Sequence, residues 1–287
     1  MRRTLATFAP ASVVAALGLR GWRWADARAA RGAWAELAAE PHALLERFDP
    51  AMVEGLPEPA ARFLRFAIAP GAPLAAAAEI DMRGELGLGT KEAPGYRPMR
   101  ARQILAAPHG LVWRVRAGDG PTRIVGSDAM VGDRSWTRFW LGGLVPVVRA
   151  GGDADHWRSS FGRVVAEAAF WTPAALLPQA GARWEAVGPD TARATLRHRG
   201  LVQTVDVQVD AEGRPLSVSL PRWSNANPEG VWRLQPFGGT LSDFREVEGV
   251  RLPFRVEGGN LFGTDGYFPF FRAEVEAIRP LPRRPLP

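Results

Sequence analysis

Cysteine is absent from the 287 residues, which excludes disulfides, thiolate nucleophiles and cysteine-held metals. Lysine is almost absent too: Lys91 stands alone among 36 basic residues, and the others are arginines scattered through every segment. A net charge of +6 spread in this way does not make a nucleic-acid surface, which needs a clustered basic tract with interleaved aromatics. No nucleic-acid partner is therefore expected, and anionic lipid is the better use for the charge. Histidine is scarce, and His42, His109, His156 and His198 are too far apart for a metal-ligand spacing. Neither a metal nor any other cofactor is expected. A phosphate-cradling loop is also missing, because Gly84, Gly87 and Gly89 fall in a strand pattern with no helix after them.

What is present suits a globular chain, with 46% hydrophobic and 23% charged residues, enough for one large β domain or two ordinary ones. Residues 1–20 form a hydrophobic segment: two arginines followed by about sixteen uncharged residues, short of the roughly twenty needed to span a bilayer. Arg2-Arg3 with Thr4-Leu5 resembles a twin-arginine export signal. An uncleaved anchor is the preferred reading, with Arg20, Trp22, Arg23 and Trp24 at the headgroups. Export places the rest of the chain outside the cytoplasm, whereas the excess of arginine after the apolar run argues for the cytoplasmic face. Residues 21–55 read as a helix and a linker broken at Pro41 and Asp49-Pro50, and a Pro/Arg tail occupies 280–287.

The central stretch from Asp153 to Pro178 organises everything between. Trp157, Phe161, Val164, Val165, Ala168 and Trp171 recur at steps of three and four, which predicts a helix over 153–169 capped by Asp153 and ended before Pro173. On both sides the period is two. Ile80, Met82 and Leu86 alternate with Glu79, Asp81 and Glu85; Trp113 and Val115 alternate with Arg114 and Arg116; Trp136, Arg138 and Trp140 share a side. Later, Asp210-Ala211-Glu212-Gly213 and Glu246-Val247-Glu248-Gly249 read as hairpin turns, and Phe271, Ala273, Val275 and Ala277 line one side of the last strand. About a dozen such strands around one helix predict a mainly β (α+β) domain over 56–279. Its expected form is one strongly curved antiparallel half-barrel sheet wrapped round the central helix, with N-terminal helices. Two smaller sheets split at the helix are the alternative.

Arg163, Ala166-Glu167-Ala168, Trp171, Pro173 and Ala175-Leu176-Leu177-Pro178, followed by Trp184-Glu185-Ala186-Val187, resemble the central signature of a bacterial family of unknown function. The likeness extends over roughly Leu56 to Ile278. The strand-helix-strand layout, with Val209 to Leu216, is similar to the half-barrel of lipoprotein carriers and of a pigment-pathway enzyme. That resemblance implies a concave sheet able to hold an apolar ligand and supplies no activity to carry over.

The candidate ligand-binding residues are Trp113, Arg163, Glu167, Trp171, Arg222 and Trp223. Eleven tryptophans against two tyrosines would either fill a large curved core or line an apolar cleft. Arg163 and Glu167, one turn apart, would be a helix-to-sheet tie through Arg193 or Arg102. Alternatively Glu167, the one weak catalytic candidate, or Asp265 would carry a proton for a small apolar substrate with an arginine as anion holder. Ser159 and Ser160 beside His156 do not make a nucleophile set. The leading expectation is a non-enzymatic, membrane-associated protein that binds a lipid or another apolar small molecule; an enzyme and an envelope assembly partner are the alternatives. Oligomeric state is left open.

Overall fold

The computed structural model describes residues 8–39 and 47–281. The export-signal-like start, the Pro41 break and nearly all of the Pro/Arg tail lie outside them. Helix α1 (Phe8–Ala39) runs unbroken through the boundary expected at residue 20, and α2 (Glu58–Ala67) follows a short turn. Among the described residues, no helix is long and apolar enough to cross a membrane.

Six strands come next: β1 (Ala77–Gly87), β2 (Tyr96–Ala106), β3 (Gly110–Ala117), β4 (Ile124–Val131), β5 (Arg134–Leu141) and β6 (Val145–Gly151). Each strand after β1 pairs antiparallel with its predecessor. After α3 (Ala154–Trp171) a second run begins with β7 (Arg183–Gly188), β8 (Thr191–His198) and β9 (Leu201–Val209). It ends with β10 (Pro215–Ser224), β11 (Arg233–Val247), β12 (Val250–Asn260) and β13 (Phe268–Pro280). The two runs are one sheet, because β1 pairs with β13; the order is β6-β5-β4-β3-β2-β1-β13-β12-β11-β10-β9-β8-β7. The split into two sheets is thereby ruled out.

α3 connects the two edge strands, β6 and β7, and so has to cross the hollow of the sheet. It packs on β2 to β6 from the first run and on β9, β10 and β12 from the second. Its cap is as expected, since Asp153 accepts from the His156 amide at 2.7 Å, and the helix continues to Trp171, two residues past the expected end. A helix enclosed by a trough loses its solvent face, and residues on every side of α3 are buried. Gly162 permits the closest approach: a Cβ there would sit 3.2 Å from Gln203 and 3.5 Å from Leu220 and Arg222. α2 adds Phe63 and Leu64 to the same core.

The convex face carries a second core. Ala30, Ala33 and Leu37 of α1 lie on Ile104, Val112, Ala129, Val131 and Trp136 of β2 to β5. Strand alternation sends Trp136 and Trp140 to this outer side, away from α3, so the tryptophans are divided between two faces. In β13 a register shift opposite Asp81 and Met82 turns Ile278 into the core in place of Ala277, which corrects the simple alternation expected there.

Candidate functional site

A cavity of about 260 Å³ remains between α3 and the concave face. Its apolar wall comes from Trp113 on β3, Phe139 on β5, Phe170 and Trp171 on α3, Phe237 on β11 and Phe271 on β13. Part of the space exists because Gly258 has no side chain, while its partner Gly239 is needed for a different reason: a Cβ there would run into the Glu257 carbonyl. Gly239 and Gly258 are cross-strand partners on β11 and β12. Gly258 lies on the same side of β12 as buried Leu252 and Val256, and a Cβ there would meet only the Gly238 carbonyl at 3.6 Å.

The polar wall centres on Arg163, whose three nitrogens each have a separate acceptor. Nε donates to Glu167 Oε1 at 2.6 Å, Nη1 to Asp128 Oδ2 at 2.7 Å and Nη2 to Gln103 Oε1 at 3.1 Å. The Gln103 amide donates to the other Glu167 oxygen. The guanidinium also lies 5.2 Å from the centre of the Trp113 ring. Burial alone would loosen the Arg163 proton, yet Glu167 and Asp128 outweigh burial and hold it more tightly than in a free arginine. The partners expected for this pair, Arg193 and Arg102, are elsewhere: Arg193 binds Asp206, and Arg102 binds Asp81.

Arg222 is arranged differently. Its stem packs beside Gly162, its guanidinium stacks 4.8 Å from the Phe237 ring centre, and Nε donates weakly to the Ser159 carbonyl at 3.4 Å. Among the described residues it makes no ion pair. Desolvation pulls its pKa down to about 10, against the partial pull of Asp128. Two further donors stand unanswered, because the indole N–H groups of cavity-lining Trp113 and Trp171 have no hydrogen-bond partner. The polar wall thus offers the Arg222 guanidinium, while both oxygens of Glu167 and both of Asp128 are engaged.

Of the residues singled out in the sequence, Trp113, Arg163, Glu167, Trp171 and Arg222 meet at this cavity. Trp223 does not. At the next position along β10 it faces the start of α3, where Nε1 donates to Asp155 at 2.8 Å and Arg158 covers the ring. Asp265 is an exposed loop residue whose carbonyl accepts from Lys91, and it does not line the cavity. Sequence reasoning missed Asp128, Gln103 and the glycine pair. The last carried a signal: counting back from the Glu246–Gly249 turn sets Gly239 opposite Gly258.

The network continues past Asp128, which accepts from Thr137 at 2.9 Å; Thr137 is 3.0 Å from His156 Nε2, and Ser135 and Ser160 flank Nδ1. Burial lowers the His156 pKa despite the opposing pull of Asp128 and Asp153, with Arg222 acting in the same direction as burial. Below about pH 6.5 the unfolded chain binds a proton at this residue that the folded chain refuses, so stability falls as the pH drops from about 7 toward 5. Thermal melts across that range should show a shallower fall for His156→Gln than for the parent protein; equal slopes would remove His156 from the account.

A wider, somewhat more open and more polar recess of about 610 Å³ lies on the convex face between α1 and the sheet; Arg100, Arg102 and Arg138 in its wall pair with carboxylates, whereas Arg114 makes no ion pair among the described residues. The cavity against α3, with its mostly apolar aromatic wall, is the better site for an apolar ligand.

The model of a family of unknown function, DUF6544, matches residues 46–273. No curated protein matches the chain. Among solved structures, the chain is similar to a LolA superfamily protein from Nitrosomonas europaea at 11% identity and a TM-score of 0.38, over 80% of this chain and 93% of that one. It is also similar to a domain from Vibrio parahaemolyticus, provisionally assigned as an outer membrane lipoprotein-sorting protein, at 11% identity and a TM-score of 0.39, over 80% and 91% of the two chains.

Proposed function

The chain belongs to DUF6544, a family of unknown function, so its role has to be read from its own cavity, and we propose that this cavity holds a single-chain apolar molecule ending in a hydrogen-bond acceptor, a carboxylate by preference. The observation that carries this reading is Arg222: a largely desolvated guanidinium with no ion-pair partner among the described residues, set in a wall of aromatic rings. Burying such a charge is costly unless something completes it. An incoming carboxylate would accept from the free guanidinium nitrogens.

Size narrows the class. At about 30 Å³ for each water-sized group, 260 Å³ holds on the order of nine such groups, a short single chain in place of a two-chain lipid. Glu167 receives a structural role in this reading, as the partner of Arg163 and Gln103, and no proton transfer is assigned to it.

The test is displacement of a fluorescent fatty acid by decanoate, by its methyl ester and by decane. The expected order is acid, then ester, then alkane. Equal competition by the alkane, or no probe binding at all, would overturn the reading. Gly258→Leu supplies the second measurement: its side chain would enter the cavity against only one nearby carbonyl oxygen. It should fold normally and bind the probe at least about tenfold more weakly, a loss of about 1.4 kcal/mol.

A further inference from the structure

The outer helix and one hairpin meet at a single end of the molecule. Asp26 of α1, only 7% exposed, ties them together: it accepts from Trp140 Nε1 at 3.0 Å on β5, from Arg138 at 3.2 Å and from Arg149 Nη2 at 3.2 Å on β6. One turn earlier, Trp22 packs edge-on against Trp140 with ring centres 5.4 Å apart, and Arg149 lies 4.6 Å over the Trp22 ring. Arg23 reaches the hairpin turn itself, where a Cβ on Gly143 would come within 2.9 Å of its Nη1.

Past this clamp the surface is apolar. The helix exposes Val14, Leu17, Trp22 and Trp24, and the hairpin exposes Leu144, Val145, Val147 and Val148. β6 is an edge of the sheet, and an exposed apolar edge in water invites aggregation unless something covers it. The charges say what does. From Phe8 to Ala25 the charged residues are Arg20 and Arg23, and from Leu141 to Gly152 the sole one is Arg149; neither stretch has a carboxylate.

We infer that this end docks on an anionic lipid bilayer, with the Leu144–Val148 turn and the first turns of α1 in the headgroup layer. Arg20 and Arg23 meet lipid phosphates there, and Trp22 and Trp24 sit at the interface. A second copy of the chain is a poorer occupant, because symmetric pairing would set the same arginines face to face.

The absence of cysteine makes the test clean. Full-length protein carrying Val147→Cys is labelled with an environment-sensitive dye, and a second preparation carries the label at Val202→Cys, exposed on β9 near the other edge. Vesicles of phosphatidylcholine are compared with an equal mixture of phosphatidylcholine and phosphatidylglycerol. The expected result is a blue shift at position 147 with the mixed vesicles, none at 202, and loss of the shift at high salt. Arg20→Gln and Arg23→Gln should each weaken vesicle binding about fivefold. The inference is overturned by binding with no shift at 147, by equal shifts at both positions, by no binding, or by a shift at 147 that follows protein concentration without vesicles.

Discussion

Replacing Arg163 with methionine is expected to cost about 3–5 kcal/mol, because the substitution leaves the carboxylates of Glu167 and Asp128 facing each other without their shared cation. Both side chains are mostly buried, at 12% and 21% exposure, so water can restore only part of what is lost. At about 2–4 °C per kcal/mol for a protein of this size, the melting temperature should fall by roughly 6–20 °C. Arg163→Lys keeps the charge but cannot offer three nitrogens in one plane to three acceptors, and it should fall between the two. The variant that makes the argument testable even if Arg163→Met fails to fold is the triple Arg163→Met, Glu167→Gln, Asp128→Asn. Removing the stranded charges should recover most of the stability. A triple variant as unstable as the single would mean that packing around the guanidinium, and not its charge, is what matters.

The expected result for Arg222 has the opposite sign. Arg222→Met should stabilise the ligand-free protein by about 1–3 kcal/mol while abolishing preference for an acid over an alkane. The direction follows from linkage. Folding lowers the pKa of this base to about 10, so the unfolded chain holds the proton more tightly. Keeping Arg222 charged in the folded state is therefore a cost at every pH below about 10, and it fades as the pH rises above that value and the folded form gives up its proton. The shift corresponds to at most about 3.4 kcal/mol, reduced because the side chain is only half-buried. A methionine fills similar space without the charge. Denaturant melts of ligand-free protein, paired with the decanoate and decane competition, check both halves. Lower stability in Arg222→Met, or unchanged preference for the acid, would contradict the proposed role.

These two arginines also illustrate what could be read from the chain. Periodicity was enough to place α3, because a step of three and four over eighteen residues differs from the step of two on either side. It also put Trp113, Arg163, Glu167, Trp171 and Arg222 on elements that converge. The partner of Arg163 was not legible: Asp128 is 35 residues away on a different strand, and nothing local distinguishes an aspartate facing a guanidinium from one facing water. β6 was overlooked for a related reason. In its Val145-Pro146-Val147-Val148 run the three valines are exposed and the proline is half-buried, which removes the alternation that marks a half-buried strand and suits an edge. The unbroken length of α1 was hidden as well, since an alanine- and arginine-rich stretch carries the same pattern whether it leaves a bilayer or lies on a sheet.

The pairing of β1 with β13 joins Ala78 to Pro280 and Ile80 to Ile278 in the middle of the sheet. The seam at the centre is thus made from the strand synthesised earliest and the one synthesised last. While the ribosome is still producing the second run of strands, β1 waits with one row of backbone donors and acceptors unmatched, and closing the seam brings together positions about two hundred residues apart. Such pairing is slow and leaves the nascent chain exposed to wrong partners. A chain truncated after Asn260 should accordingly keep its first six strands in sequence yet precipitate or bind chaperones, and adding β13 back as a separate peptide should restore solubility by filling the vacant place.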